Sequence, residues 1–582
     1  MSNSLNALSI PLNEYPRPQM VRNHWTNLNG QWDYAILEKG SLAPSVYEGE
    51  ITVPYPVESA QSGVKRNVGK DNELWYRRTF EVAEAASGSR TLLHFGAVDW
   101  EAEVFVNDKF AGLHQGGFDP FYFDITALLV EGKEQELIVR VWDPTDQGPQ
   151  PRGKQVNEPS GIWYSPVTGI WQTVWLEQVP ASYINQVKIT PDWDNSSFVL
   201  RLDAKGVGEG FTWKAVAIDQ GLAIAESVAS TSDEIRLFIS DAKSWTPDQP
   251  NLYEFSIGLY KDGYVVDHIE SYGALRKISI GFDIMGNQRM ELNGHQLFHY
   301  GPLDQGWWPE GLFTAPSDEA LAFDIVKTKE MGFNMIRKHV KIEPARWYYH
   351  CDRLGIMVWQ DMPSGDTGNR WEQKPGIIGK GTERLRTPES EFIFKKEWKS
   401  IIDALYNFPC IVVWIPFNEA WGQFKTKEIS QWTKTYDPSR LVNGASGGNF
   451  EMEGTKIAGE IFDIHNYPDP AMPCPNIFGK IQLLVLGEYG GLGLQIEGHT
   501  WQDEGNWGYQ NVRSEEELLS RYETLISDLK ELVPKGLAAA VYTQTTDVEI
   551  EINGLMTYDR KKVKIPEDAL KKLHLDLYAT KF

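Results

Sequence analysis

Cysteine is scarce in this chain: three among 582 residues, at Cys351, Cys410 and Cys474. An odd, scattered trio with no CxxC spacing excludes a disulfide framework and favours a reducing compartment. Long apolar runs are missing as well. Nothing approaches the roughly 20 residues of a membrane-spanning helix, and the opening MSNSLNALSI lacks the basic and apolar segments and the cleavage site of a secretory leader. These features predict a cytoplasmic address; a periplasmic or secreted protein would need a leader removed beforehand. Basic charge is in deficit. The 56 Lys and Arg stand against 80 Asp and Glu, a formal charge of −24, and a surface of that sign repels nucleic-acid backbones and anionic lipid. Neither nucleic acid nor membrane is expected as a partner. Low-complexity tracts and solenoid repeats are absent too.

What is present is a large apolar and aromatic complement. Apolar residues make up 41% and aromatics 12%, including 22 Trp, so the chain has the means to bury several cores. Its length predicts about three to five domains. Residues 25–179 read as short alternating segments such as 75–82, 90–95 and 102–106, with Asn107 and Asp108 following the last, which predicts an antiparallel sandwich. Residues 183–276 read the same way at the size of an immunoglobulin-like sandwich without its disulfide, and the linker falls near 179–182.

After residue 280 short apolar runs alternate with helical patterns, the signature of βα units. Eight candidate strands lie at 297–301, 333–339, 356–362, 411–419, 441–447, 461–467, 483–489 and 537–547. Helices are expected at 317–331, 389–406 and 514–532, the last opening on Ser-Glu-Glu-Glu, close to a capping box. Eight such repeats specify a (β/α)8 barrel, whose catalytic groups stand at the C-terminal ends of strands. The fourth strand ends in Asn418 and Glu419, and the seventh ends in Gly487, Glu488 and Tyr489. A lone strand-end glutamate is usually a solvated surface group. Two that converge on one mouth supply what glycoside hydrolysis needs, a proton donor and a facing carboxylate that attacks or activates water, with no metal or cofactor. No His-x-His follows the first strand and no metal-ligand cluster is apparent.

Four segments carry a family likeness: LNGQWD (28–33), VFVND (104–108), TGIWQTVWLE (168–177) and FNMIRKH (333–339). Together with the two glutamates they resemble glycoside hydrolase family 2, the family of β-galactosidases, β-glucuronidases and β-mannosidases, and matching stretches run through nearly the whole chain. The resemblance implies a jelly-roll sugar-binding domain over 1–180, an immunoglobulin-like sandwich over 181–277 and a catalytic TIM barrel over 278–582. It implies Glu419 as acid/base and Glu488 as nucleophile of a retaining, exo-acting hydrolase acting on carbohydrate. Arg337 would then sit beside the nucleophile and keep it ionised, or form a structural salt bridge, and Asn418 would bind the 2-hydroxyl or cap a segment. Tyr467 would donate to Glu488, while His465 would line the pocket or be a satisfied core histidine.

Asp304 is placed to accept sugar hydroxyls and Trp307 or Trp308 to stack on a ring, with loop packing as the alternative. His339, Lys341 and Glu343 fit either the pocket or a surface network. Tyr542 and Gln544 are assigned to the pocket wall on the eighth strand, where several family members carry tryptophan. That departure, and the lack of an identifiable Asn and Lys pair to read a glucuronate, leaves β-galactosidase as the family default. β-Glucuronidase, β-mannosidase and an arabinoside or galactofuranoside hydrolase are the alternatives. A catalytically silent carbohydrate-binding protein is the reading from another class, and homo-oligomerisation is left open.

Overall fold

The computed structural model describes residues 10–82, 88–367, 383–447 and 458–581, so the first nine residues, on which the leader reading bears, lie outside the described residues. Two antiparallel sheets build the first unit. One holds six strands in the order Gly49–Val53, Gly30–Glu38, Asn72–Phe80, Gln135–Trp142, Glu101–Val106 and Lys109–Gln115; the other holds Trp25–Asn27, Val174–Val179, Arg90–Phe95 and Phe121–Asp124. Alternation is the cause. Every second residue of Glu101–Val106 and of Gln135–Trp142 is buried, and these side chains join Leu74, Tyr76, Phe95 and Leu176 in one apolar core shared by both sheets. Asn107 and Asp108 adopt φ of 51° and 61°, the left-handed pair that closes a two-residue hairpin.

The second unit is a seven-stranded sandwich. Tyr183–Asp192, Ser197–Lys205 and Ile235–Phe238 form one sheet, and Leu222–Ser230, Phe211–Asp219, Tyr253–Lys261 and Tyr264–Gly273 form the other. Phe198, Leu200, Trp213, Phe255 and Ile257 fill its core.

The third unit is the barrel, with strands β1 (His299–Asp304), β2 (Met335–Lys338), β3 (Met357–Asp361), β4 (Ile411–Ile415), β5 (Leu441–Val442), β6 (Ile461–His465), β7 (Leu483–Gly490) and β8 (Leu537–Thr543). They pair in parallel in the order β5-β4-β3-β2-β1-β8-β7-β6, and among the described residues no ladder joins β5 to β6. β1 to β4, β7 and β8 are buried at every position. That explains their unbroken apolar character, since helices cover the outside and side chains fill the inside. Helices α1 (Asp318–Glu330), α2 (Ala345–Leu354), α3 (Pro388–Leu405), α4 (Thr426–Tyr436), α5 (Pro475–Phe478), α6 (Glu515–Leu532) and α7 (Glu567–Tyr578) complete the unit. Ser317, Thr387 and Ser514 cap α1, α3 and α6 through their side-chain oxygens. Glu517 closes the expected box one residue early, accepting from Arg513 N at 2.7 Å.

Several strand limits differ from the sequence reading. β4 stops at Ile415 because Pro416 has no N–H for the ladder. β1 begins at His299 and runs through Asp304, β5 is two residues long, and β8 ends at Thr543. A small antiparallel sheet of Ile278–Phe282, Gln288–Leu292 and His295–Gln296 precedes β1, where barrel rhythm was expected. From it Arg289 donates to Leu537 O at 2.7 Å and Val533 O at 2.9 Å, closing the N-terminal end of the barrel at β8.

Candidate active site

Glu488 is carried by β7, and Glu419 stands beyond β4, where Asn418 bridges Ser446 after β5. Glu419 N donates to Ser446 O at 2.6 Å, and its φ of 52° lies in the left-handed region that costs a side-chain-bearing residue energy. The result is a turn that aims the carboxylate at the barrel axis. A carboxylate oxygen of Glu419 and one of Glu488 come within 4.8 Å, with His465 between them. His465 Nδ1 is 3.1 Å from Glu419 Oε1 and 3.4 Å from Glu488 Oε2.

Each oxygen of Glu488 has its own donor. Arg337 Nη1 donates to Oε1 at 3.2 Å and the Tyr467 hydroxyl to Oε2 at 2.7 Å. Arg337 is wholly buried and held by Asp361 through Nε at 3.1 Å and Nη2 at 2.9 Å, while Nη2 also donates to Asn418 Oδ1 at 2.7 Å. Tyr467 accepts from Thr543 Oγ1 at 2.7 Å and stacks on Tyr509, with ring centroids 3.7 Å apart. Behind His465, Ser446 Oγ donates to Asp463 Oδ2 at 2.6 Å and so accepts from His465 Nε2 at 2.9 Å.

The electrostatics divide the groups. Burial alone would raise the Glu488 pKa, but His465, Arg337 and Lys154 outweigh it and hold the carboxyl down at about 2. Burial also works against a charged His465, yet Glu488, Glu419 and Asp463 outweigh it and raise its pKa above the ordinary 6.5. Tyr467 is pushed far up by burial and by Glu488, which keeps its phenol a donor. The trio Glu419, His465 and Glu488 brings ligand-type atoms together as a metal site would, a cluster the sequence spacing hides.

Three family models match consecutive parts of the chain: the glycosyl hydrolases family 2 sugar binding domain over residues 14–180, glycosyl hydrolases family 2 over 182–276, and the family 2 TIM barrel domain over 315–477. The chain belongs to glycoside hydrolase family 2. A β-galactosidase of Thermoanaerobacter pseudethanolicus is 25% identical over 428 residues, 70% of this chain and 52% of that protein. A β-glucuronidase of Bacteroides fragilis is 24% identical over 422 residues, 69% of this chain and 58% of its own. The chain spans about half the length of the curated relatives it matches. Among solved structures, a β-D-glucuronidase of Dictyoglomus thermophilum has a TM-score of 0.74 at 17% identity, covering 97% of this chain and 100% of that one. A β-galacturonidase of Eisenbergiella tayi has a TM-score of 0.72 at 19% identity, covering 98% of this chain and 100% of that one. These likenesses concern the fold.

Not every residue assigned from sequence reaches the family 2 site. Trp307 packs against Phe313 and Tyr164, with centroids at 4.6 and 5.2 Å, and Trp308 lies under the Arg560 guanidinium at 4.0 Å, so neither ring presents a face for stacking. Tyr542 points away from the mouth into the core behind β7 and β8, edge-on to Tyr489 and Tyr522. Gln544 has both amide ends engaged, accepting from Gln305 at 2.8 Å and donating to Asn553 at 2.6 Å. Asp304 is bound to Lys338 Nζ at 2.7 Å and to Gly306 N at 2.8 Å, and Glu343 ties Lys338 and Lys341 into the same buried network, which is therefore not a surface one. His339 contributes indirectly, with Nδ1 2.9 Å from Asp361. A cleft of about 390 Å³ between the sandwiches and the barrel is lined by Trp171, Trp175 and Ile342 and lies apart from both glutamates.

Sequence reading missed Asp361, Asp463, Ser446, Tyr509 and Lys154. Asp361 and Asp463 were open to it: one ends β3, and the other shares an inward face with His465 two residues on. Nothing marked Lys154, which comes from the first sandwich.

Proposed function

We propose that this chain is a retaining, exo-acting glycoside hydrolase in which Glu488 attacks the anomeric carbon and Glu419 serves as acid and then base. The observation that carries the reading is the approach of the two carboxylates to within 4.8 Å. Direct attack suits carboxyls about 5–5.5 Å apart, whereas an inverting water needs about 6.5–9.5 Å. In this reading Glu488, ionised and flanked by Arg337 and Tyr467, forms the glycosyl-enzyme as Glu419 hands its proton to the leaving oxygen. Glu419 then takes a proton from the water that releases the sugar. Asn418 lies beside both and is suited to bind the 2-hydroxyl. Residues 278–582 act as the catalytic unit, with 1–180 and 181–277 as supporting sandwiches. A β-galactoside is the default substrate, supported by relatives named β-galactosidase. The same geometry serves β-glucuronosides or other family 2 substrates, whereas a silent binding protein would have no use for so close a pair.

The two glutamates must fail differently. With an aryl glycoside whose phenol leaves unaided, Glu419→Ala should still form the glycosyl-enzyme but stall at its hydrolysis, and azide should restore turnover with retained configuration. Glu488→Ala should lose ordinary turnover, and any azide product should be inverted. A retained azide product from Glu488→Ala, with none from Glu419→Ala, would exchange the roles.

A further inference from the structure

The first sandwich sends one segment across the mouth of the barrel, and direct contacts fix its course. Arg152 N and Gly153 N donate to Ser364 O, just past β3, at 2.9 and 3.0 Å. Gly161 O accepts from Nε1 of Trp507, in the chain after β7, at 3.2 Å. The Tyr164 hydroxyl accepts from Gln305 Nε2, just past β1, at 2.7 Å and donates to Glu551 in the chain after β8, where Ser165 N also donates to Glu549 Oε1 at 2.8 Å. Between these anchors Trp163 sets its ring edge-on to that of Trp421, with centroids 4.1 Å apart, two residues beyond Glu419. In the strand order β4 and β8 stand four places apart in a ring of eight, on opposite sides of the barrel. A turn that touches the loops of both passes over the open end, into which the two glutamates project.

Trp163 is rigidly presented there. Ser160 and Trp163 exchange both of their backbone hydrogen bonds, at 3.1 Å each, and Tyr164 beside it is wholly buried, whereas the Trp163 ring is only half-buried. Aromatic surface continues from it toward the other glutamate. Trp507, bound to Gly161, meets Tyr509 edge-on at 5.2 Å, and Tyr509 stacks at 3.7 Å on Tyr467, which donates to Glu488 at 2.7 Å. Tyr509 is 39% exposed, while Arg337, Asp361 and Asn418 on the other side of the carboxylates are buried. The mouth therefore has a polar, closed floor and an aromatic, open rim.

We propose that Trp163, delivered by the first sandwich, and Tyr509 line a leaving-group subsite that takes a ring-shaped leaving group, a second sugar or an aryl ring. The proposal rests on the glycosidase reading above. An exo-acting hydrolase holds the terminal sugar at the closed end, where polar groups fix its hydroxyls, and sends the leaving group toward solvent. Glu419 gives its proton to the leaving oxygen, so the departing group lies on the side of Trp421 and Trp163. Large aromatic side chains there offer apolar area to the C–H face of a sugar or to an aryl ring. The first sandwich is then part of the substrate site and not only a support for the barrel.

The test is a ratio: kcat/KM on a substrate with a ring as leaving group, divided by kcat/KM on the glycosyl fluoride of the same sugar, whose leaving group is a single atom. The sugar is whichever of galactose, glucuronic acid, mannose and arabinofuranose the wild type cleaves, and the ring-bearing substrates are its 4-nitrophenyl glycoside and its disaccharide with glucose. In Trp163→Ala the ratio should fall about 3- to 10-fold, as expected for the loss of one ring contact. Trp163→Phe, which keeps a ring, should lose less. If Trp163→Ala does not fold, Tyr509→Leu gives the same measurement, because any loosening of Tyr467 slows the fluoride equally and leaves the ratio alone. A fall with the aryl glycoside only assigns the subsite to aryl groups, and a fall with the disaccharide only assigns it to a sugar. An unchanged ratio in the folded variants, whether both rates drop together or neither does, would overturn the subsite. A wild type inactive on every fluoride, aryl glycoside and disaccharide would refute instead the glycosidase reading beneath it.

Discussion

At the scale of single residues, the imidazole between the two glutamates is the feature most open to measurement. His465 is pulled one way by burial and the other by Glu488, Glu419 and Asp463, and the carboxylates win. Its folded pKa therefore exceeds the unfolded one, so the stabilisation it provides is complete below pH 6.5 and is lost as pH rises through the raised value. Glu488 has the opposite sign: its contribution is complete above the ordinary 4.5 and is lost as pH falls toward about 2. A histidine-selective NMR titration, with the resonance assigned through His465→Asn, should show a midpoint above 6.5 in the wild type. In Glu488→Gln the largest opposing charge is gone and the midpoint should fall. An unmoved midpoint would show that Glu488 is not what raises the pKa of the imidazole.

Among the elements, β1 and β2 pack closely enough to dictate a residue type. A Cβ on Gly301 of β1 would lie 1.9 Å from Met335 O, a backbone atom of β2 that cannot swing aside. Gly301→Ala should push the strands apart and disturb the register that pairs Leu303 with Arg337. Overpacking of this kind costs roughly 1–3 kcal/mol. We expect a lower urea midpoint together with reduced kcat, because Arg337 leaves its place beside Glu488. Full activity in a destabilised Gly301→Ala would show that the site tolerates movement of β2. The turn after β4 works on the same principle: Pro416 ends the ladder and the left-handed Glu419 redirects the chain, so its carboxylate lies past the strand and not on it.

Across the whole molecule, buried arginines join the units. Arg276, at the exit of the second sandwich, donates to Pro409 O at 3.0 Å, Ile411 O at 2.9 Å and Ser439 O at 2.9 Å, all around the start of β4 and β5. Arg276→Ala would leave barrel carbonyls unsatisfied, a cost of roughly 1–3 kcal/mol. Arg276→Lys, without the planar fork, should restore only part of it. Differential scanning calorimetry should show the barrel transition falling in both variants, further in the alanine. A barrel transition at its wild-type temperature would mean that the sandwich does not brace this end.

Local pattern was sufficient for the architecture. Period-two alternation made the strands of both sandwiches legible, and buried apolar runs separated by capped helices marked the barrel, because burial on one face or two is written directly in residue type. The two strand-end glutamates were legible for the same reason, since a carboxylate at the end of an apolar run has few structural uses. Tertiary structure alone decided which neighbours they keep. Trp307 and Trp308, expected to stack, and Tyr542, expected in the pocket wall, turn into cores, because the direction of a side chain past a strand end depends on what packs behind it. Asp304 and Gln544 are consumed by buried partners that lie far away in sequence. Trp163 reaches the barrel mouth from a different unit, and Asp463 supports His465 through Ser446.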